Sequence, residues 1–264
     1  MNIFLRELKA NFKSLLIWAF IVIFFAMIGF AKFSAYYGNP ELVAILNDMP
    51  AALVDALNMN AFNLTTTTGF FGVMFTYFAL IVSIAAAMWG SDIISKEERD
   101  KTVEFSLTLP VTRSRVVTAK SLAALVNSIV LLFICWGAIL YGASSYPQES
   151  GFKEYVAISM LALFIMELIF LAVGIFLGCA MKQYKRAGSI AVSLLLATYI
   201  LSIMAGLSKK LDFLQYFTPF SYFNPAKILQ SLSLDLTYVA LSLGIIAAAI
   251  VGAYLTYSRR DLYI

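Results

Sequence analysis

Apolar residues fall into six long runs separated by polar stretches, at approximately residues 15–33, 69–89, 119–141, 156–181, 187–207 and 236–257. Each run is about 20 residues or longer, which at 1.5 Å per residue crosses the ~30 Å hydrocarbon core of a bilayer. Spanning β-strands would be about ten residues long, with alternating polarity, and no run has that form. The pattern predicts an all-α membrane protein: six transmembrane helices in a single domain over residues 1–264.

Composition agrees with this. Of 264 residues, 61% are hydrophobic and 13% are charged, against roughly 45–50% and about 25% in soluble domains. The charge of +4 is too small to point to nucleic acid. The first run is longer than the apolar part of a signal peptide and has no clear cleavage site after it, so it is expected to stay as a span.

Lys and Arg set the expected orientation. Fourteen of the nineteen lie in one set of connections: Arg6, Lys9 and Lys13; Lys96, Arg99, Lys101, Arg113, Arg115 and Lys120; Lys182, Lys185 and Arg186; Arg259 and Arg260. The other set holds Lys32, Lys153, Lys209, Lys210 and Lys227. The richer set is expected in the cytoplasm, with both termini.

Three flanking segments have patterns of their own. Residues 1–14 place Ile3, Phe4, Leu8 and Phe12 against Arg6, Glu7, Lys9 and Lys13, the signature of an N-terminal interfacial helix leading into the first span. In the first outer connection Leu42, Ile45, Leu46 and Met49 have helical spacing, and Glu41, Asp48 and Asp55 share a polar face. Pro50 is expected to divide that connection into two short extracellular helices. The last outer connection, residues 208–235, carries Phe213, Tyr216, Phe217, Phe220, Tyr222 and Phe223 with Pro219 and Pro225. Interfacial anchoring is the first reading of these rings; a re-entrant segment is the second.

The connection of residues 91–120, expected in the cytoplasm, holds eleven charged residues of both signs, and after the charged run that ends at Lys101 come Val103, Phe105, Leu107, Leu109 and Pro110. A solvated loop has no need of Phe105, Leu107 and Leu109. A short helix with an apolar stripe and charged flanks suits docking into a groove on a soluble partner.

The run from Lys96 to Arg113 resembles the signature of ABC-2 type permeases. In that family acidic residues precede Gly-Thr, an apolar residue, Glu, an apolar stretch, Pro and a basic residue. Here Glu97 and Glu98 precede Thr102, Glu104, Phe105, Leu107, Pro110 and Arg113, and Lys101 stands where Gly is usual. Other matches follow in order along the chain: Arg6-Glu7-Leu8-Lys9 with Trp18, Met49-Pro50-Ala51-Ala52-Leu53 leading to Gly69-Phe70, Thr218-Pro219-Phe220 with Tyr222-Phe223-Asn224-Pro225, and Arg259-Arg260-Asp261-Leu262. The resemblance, closest to the small bacterial peptide and drug exporters, implies a permease of the bacterial plasma membrane. It implies a second permease, a copy or a paralogue, and cytoplasmic ATPase subunits that carry the ATP and Mg. It also implies that Glu97, Glu98, Thr102, Glu104, Phe105, Leu107, Pro110 and Arg113 belong to an ATPase-coupling helix, and that transport is export.

The chain has no histidine and no G-x-x-x-x-G-K-[ST] run, so it builds neither a Ser-His-Asp set nor a phosphate-binding loop. It is not expected to be an enzyme or to hold a cofactor or metal. Cys135 and Cys179 are expected as packing residues toward opposite sides of the membrane. Glu167 is the ionisable residue deepest in an apolar run. An acid at the bilayer centre costs roughly 2.5–3.5 kcal/mol on insertion scales, so it is expected to face protein or water. Its role is either a functional acid or a structural hydrogen bond to a neighbouring helix. Small residues spaced by four mark packing faces: Gly174 and Gly178; Ser189, Ser193 and Ala197; Gly244, Ala248 and Gly252. Packing within the chain is expected for them ahead of a seam between subunits.

These observations point to the permease of an ATP-driven exporter working by alternating access, with an amphipathic peptide such as a bacteriocin or toxin as substrate, or a lipophilic drug. Two rivals are an ion- or proton-coupled secondary transporter, which would carry several intramembrane charges, and a non-transporting scaffold or sensor.

Overall fold

The computed structural model describes residues 3–39, 62–99, 112–181, 183–207 and 209–259. Among them are six helices long and apolar enough to span a membrane: α1 (Ile3–Tyr36), α2 (Thr67–Arg99), α3 (Arg113–Ala143), α4 (Phe152–Ala180), α5 (Tyr184–Leu207) and, after three short elements, α8 (Leu236–Arg259). Each contains or closely matches one of the six apolar runs, and an even number of spans brings both termini to one end. A 3-10 segment (Lys209–Phe217) and the short helices α6 (Pro219–Tyr222) and α7 (Pro225–Ser231) lie between α5 and α8 at the opposite end. The outer connection of residues 40–61 lies outside the described residues, as do its Glu41, Asp48, Asp55 and Pro50.

α2 and α4 form the centre. Two-thirds (67%) of the most apolar stretch of α2 and 61% of that of α4 are buried, against 11% for α5 and 17% for α8. The central pair can approach closely because three glycines line its crossing. A Cβ on Gly90 would come within 2.4 Å of the Leu171 carbonyl oxygen, one on Gly174 within 2.5 Å of that of Ala87, and one on Gly178 within 2.8 Å of that of Ser91. The small stripe of α4 therefore packs within the chain, as expected. The stripe of α5 does not: Ser189, Ser193 and Ala197 are exposed. In α8, Gly252 meets the ring of Phe176, while Gly244 has nothing within 4 Å and Ala248 is exposed.

α1 is one continuous helix of 34 residues. At 1.5 Å per residue it is about 51 Å long, so its first turns extend beyond the ~30 Å apolar core without a break. The expected interfacial stretch is thus continuous with the span. The outward side of α1 is apolar, with Leu16, Ile17, Phe20 and Phe24 exposed, as lipid contact requires.

At the end opposite the termini, Phe33 stacks on Phe70 (ring centroids 4.7 Å apart) and meets Tyr146 edge-on (4.8 Å), joining α1, α2 and the α3–α4 turn. The same turn carries Glu149, whose carboxylate accepts from the backbone N–H groups of Thr67 (3.2 Å) and Thr68 (3.1 Å) and from the Thr68 hydroxyl. These are first-turn N–H groups of α2 with no partner inside their own helix, at the positive end of its dipole.

The rings of the aromatic segment are partly exposed and partly buried. Phe213, Tyr216 and Phe217 are exposed, as interfacial anchors are. Tyr222 and Phe223 are buried instead, and Tyr222 stacks on Tyr238 at 5.2 Å. Pro219 and Pro225 each begin a short helix, and Tyr155 of α4 donates to the Pro225 carbonyl at 3.1 Å, which anchors α7 to the bundle.

Candidate functional site

The candidate coupling segment joins the end of α2 at Arg99 to the start of α3 at Arg113. Thr102, Glu104, Phe105, Leu107 and Pro110 lie outside the described residues. Glu97 and Glu98 belong to the last turn of α2, and their side chains are likewise not described.

Arg113 is the first residue of α3. Its guanidinium donates to the Tyr257 carbonyl at 3.4 Å, and one turn on, the hydroxyls of Thr118 and Tyr254 share a hydrogen bond of 2.6 Å. Both contacts tie the root of α3 to the last turns of α8. The opposite side of the root is tied to α1. Lys120 reaches Glu7 at 3.5 Å, with side-chain exposures of 1% and 5%. Arg6 reaches the same Glu7 oxygen at 3.5 Å from a more exposed position. Buried charges persist only when paired. Further along α1, Ser14 accepts from the indole N–H of Trp89 at 2.9 Å, which links α1 to α2.

The Lys and Arg count treated Lys120 as a flanking charge and the N-terminal pattern set Glu7 among the polar residues, whereas the structure buries both. The signal in the sequence is faint: Lys120 sits at the start of an apolar run, and Glu7 is next to Leu8 in the chain.

Glu167 lies mid-way along α4 and is fully buried. Among the described residues, neither carboxyl oxygen has a hydrogen-bond partner. α2 and α4 run parallel, and the register that sets Phe71 beside Tyr155 (5.5 Å) and Gly90 beside Gly174 puts Ser83 level with Glu167. The Ser83 hydroxyl is also buried without a partner. Cys135 of α3 is buried and lies within electrostatic reach of Glu167, and Cys179 is buried too. The structural alternative for Glu167 needs a hydrogen bond to a neighbouring helix, and among the described residues none is present.

A separate cavity of about 220 Å³ lies at the end opposite the termini. Val73, Met166, Ile203 and Phe220 supply apolar walls from α2, α4, α5 and α6. Tyr77, Tyr199, Gln215, Ser221 and Lys227 supply polar ones. Tyr199 stands edge-on to Phe220 at 5.3 Å, fixing the wall between α5 and α6. The sequence pattern left this cavity invisible, because only folding brings α2, α4, α5 and the segment between α5 and α8 together.

No curated protein matches the chain. A family model does: that of the ABC-2 family transporter proteins, over residues 1–262. With a match across almost its whole length and a six-span helical bundle to carry it, the chain belongs to the ABC-2 transporter family.

Proposed function

We propose that this chain is the permease subunit of an exporter that moves an amphipathic peptide, or secondarily a lipophilic drug, out of the cell. The family places it in the membrane part of an ABC transporter, which in general works with an ABC ATPase. The reading adds that residues 102–109 dock on that ATPase and that both termini face the cytoplasm, as the Lys and Arg distribution implies.

The observation that carries the reading is the bonding at the root of α3. The segment between α2 and α3 leads directly into Arg113, bonded to α8, and Lys120, bonded to α1. A displacement of the segment by an ATPase is therefore passed to α1, α3 and α8 together, across a buried ion pair that resists separation. Alternating access needs such joint movement of spans. The uncovered small residues Ser189, Ser193 and Ala197 on α5 support a second permease, copy or paralogue, because small residues let two helices approach closely.

Glu167 is the candidate working group of the interior. Its oxygens lack partners here, so the reading assigns its partner to the transported molecule or to another state of the cycle. A secondary transporter would be expected to carry more mid-span charges.

The test is transport in proteoliposomes holding this chain, its partner permease and the ATPase. ATP-driven movement of a fluorescent amphipathic peptide from the ATPase side to the other side is expected. ATP-independent movement driven by a proton gradient would support the secondary-transporter reading instead.

A further inference from the structure

We propose that the cavity between α2, α4, α5 and the α6–α7 segment is a binding site for a small amphipathic anion: a carboxylate or phosphate head on a short apolar tail. It lies within one subunit and is separate from Glu167 and from the α3 root.

The first argument is hydrogen-bonding capacity. The hydroxyls of Tyr77 and Tyr199, the side-chain amide of Gln215 and the ammonium of Lys227 line the cavity, and among the described residues none is spent on a protein partner. Ser221 accepts from Thr218 at 2.7 Å, which leaves its own proton uncommitted. Among the described residues the lining holds no carboxylate. A wall with several unused donors, one cation and no acid is matched by an acceptor-rich, negatively charged group.

The second argument is the gradient along the cavity. Lys227 and Gln215 lie at the end opposite the termini, where the short elements join α5 to α8. Met166, half-way along α4, forms the floor with Ala79, while Val73 and Phe75, near the start of α2, line the side closer to Lys227. A head at Lys227 with a tail toward Met166 would have each part in matching surroundings.

The third argument is size. About 220 Å³ is the share of roughly seven waters at ~30 Å³ each, below the ~300 Å³ at which drug-sized pockets begin. That admits one head group with a chain of about eight carbons, but neither a folded peptide nor a whole lipid. A free short-chain anion and the head region of an anionic lipid share this chemistry.

The full-length protein in phosphatidylcholine nanodiscs is labelled with an octanoate analogue carrying a diazirine near its tail, and cross-links are mapped by mass spectrometry. Cross-links are expected at Met166 or Phe220. Octanoate and octyl phosphate should protect, while octanol and octylamine should not. Lys227→Gln should weaken protection about tenfold, the scale of one charge-assisted hydrogen bond. Lys227→Glu, at an exposed position, should shift the preference toward octylamine, and Ser202→Phe should fill the cavity and abolish labelling. Phosphatidylglycerol nanodiscs separate the sources: protection by that lipid marks a lipid head group, and its absence with octanoate still protecting marks a soluble anion. Equal protection by octanol and octanoate, an unchanged preference in Lys227→Glu, or cross-links confined to the outward face of α1 would overturn the proposal. Because the site lies within one subunit, ATPase docking does not bear on the result.

Discussion

Gly90 of α2 and Gly174 of α4 meet backbone to backbone, and a Cβ added to either would fall within 2.5 Å of a main-chain carbonyl oxygen on the other helix. Carbonyl oxygens cannot rotate away as a side chain can, so the helices would have to separate. Gly174→Ala and Gly90→Ala are each expected to destabilise the bundle by about 1–3 kcal/mol, the usual cost of overpacking. Gly137→Ala is the control: its Cβ would meet nothing within 4 Å, and loss of glycine's flexibility in a helix should be neutral or stabilising. Thermal unfolding of the three variants in one detergent checks the order.

The buried pair Glu7–Lys120 makes a second prediction. Removing one partner leaves a charge buried and uncompensated, so Lys120→Met is expected to cost about 3–5 kcal/mol. The double variant Glu7→Gln with Lys120→Met should recover much of that loss. Arg6 shares the Glu7 oxygen and should soften the loss from Lys120→Met alone. A double-mutant cycle measures the coupling, and strict additivity would remove the pair from the account.

The Glu149 clasp predicts a response to acid. Partial burial raises the carboxyl pKa, but hydrogen bonds from the side chain and backbone of Thr68 and from the backbone of Thr67 outweigh it, so the group sits below its ordinary value of 4.5. A folded-state pKa below the unfolded one stabilises above the unfolded value, and that stability is lost as pH falls through the folded value. Wild-type stability should therefore decline below about pH 4.5 more steeply than that of Glu149→Gln, which lacks the titrating group. Parallel pH profiles of unfolding temperature would contradict the clasp.

How much of this was legible in the sequence follows the physics of each feature. The six spans depend only on unbroken apolar length, which a linear pattern carries in full. Gly174 and Gly178 were legible as a close-packing face because spacing by four is a property of one helix. The opposite outcome for Ser189, Ser193 and Ala197 was not, since the same spacing serves whether a helix meets its own chain or something outside it. Lys120 was counted as a flanking charge and Glu7 placed on a polar side, and Glu149 was not singled out, because their partners lie on other helices or turns. Tyr222 and Phe223 were grouped with the interfacial rings for the same reason. The cavity at Lys227 needed α2, α4, α5 and the segment before α8 placed in space.

Glu167 links fold and function. Its oxygens make no hydrogen bond in this conformation, so Glu167→Gln, nearly equal in shape, should keep the bundle's unfolding temperature within a few degrees. Under the proposed function it should nevertheless slow transport and change its pH dependence. Rate measured against pH in proteoliposomes checks this, and an unchanged profile would return Glu167 to a structural role.

The account rests on energy entering through residues 102–109 from a separate ATPase, and purification of the tagged chain from its native membrane tests that most directly. An ABC ATPase should co-purify with the wild type, and Phe105→Asp should lose it while the chain remains inserted in the membrane. Transport that continues in a preparation with no ATPase bound would contradict the account.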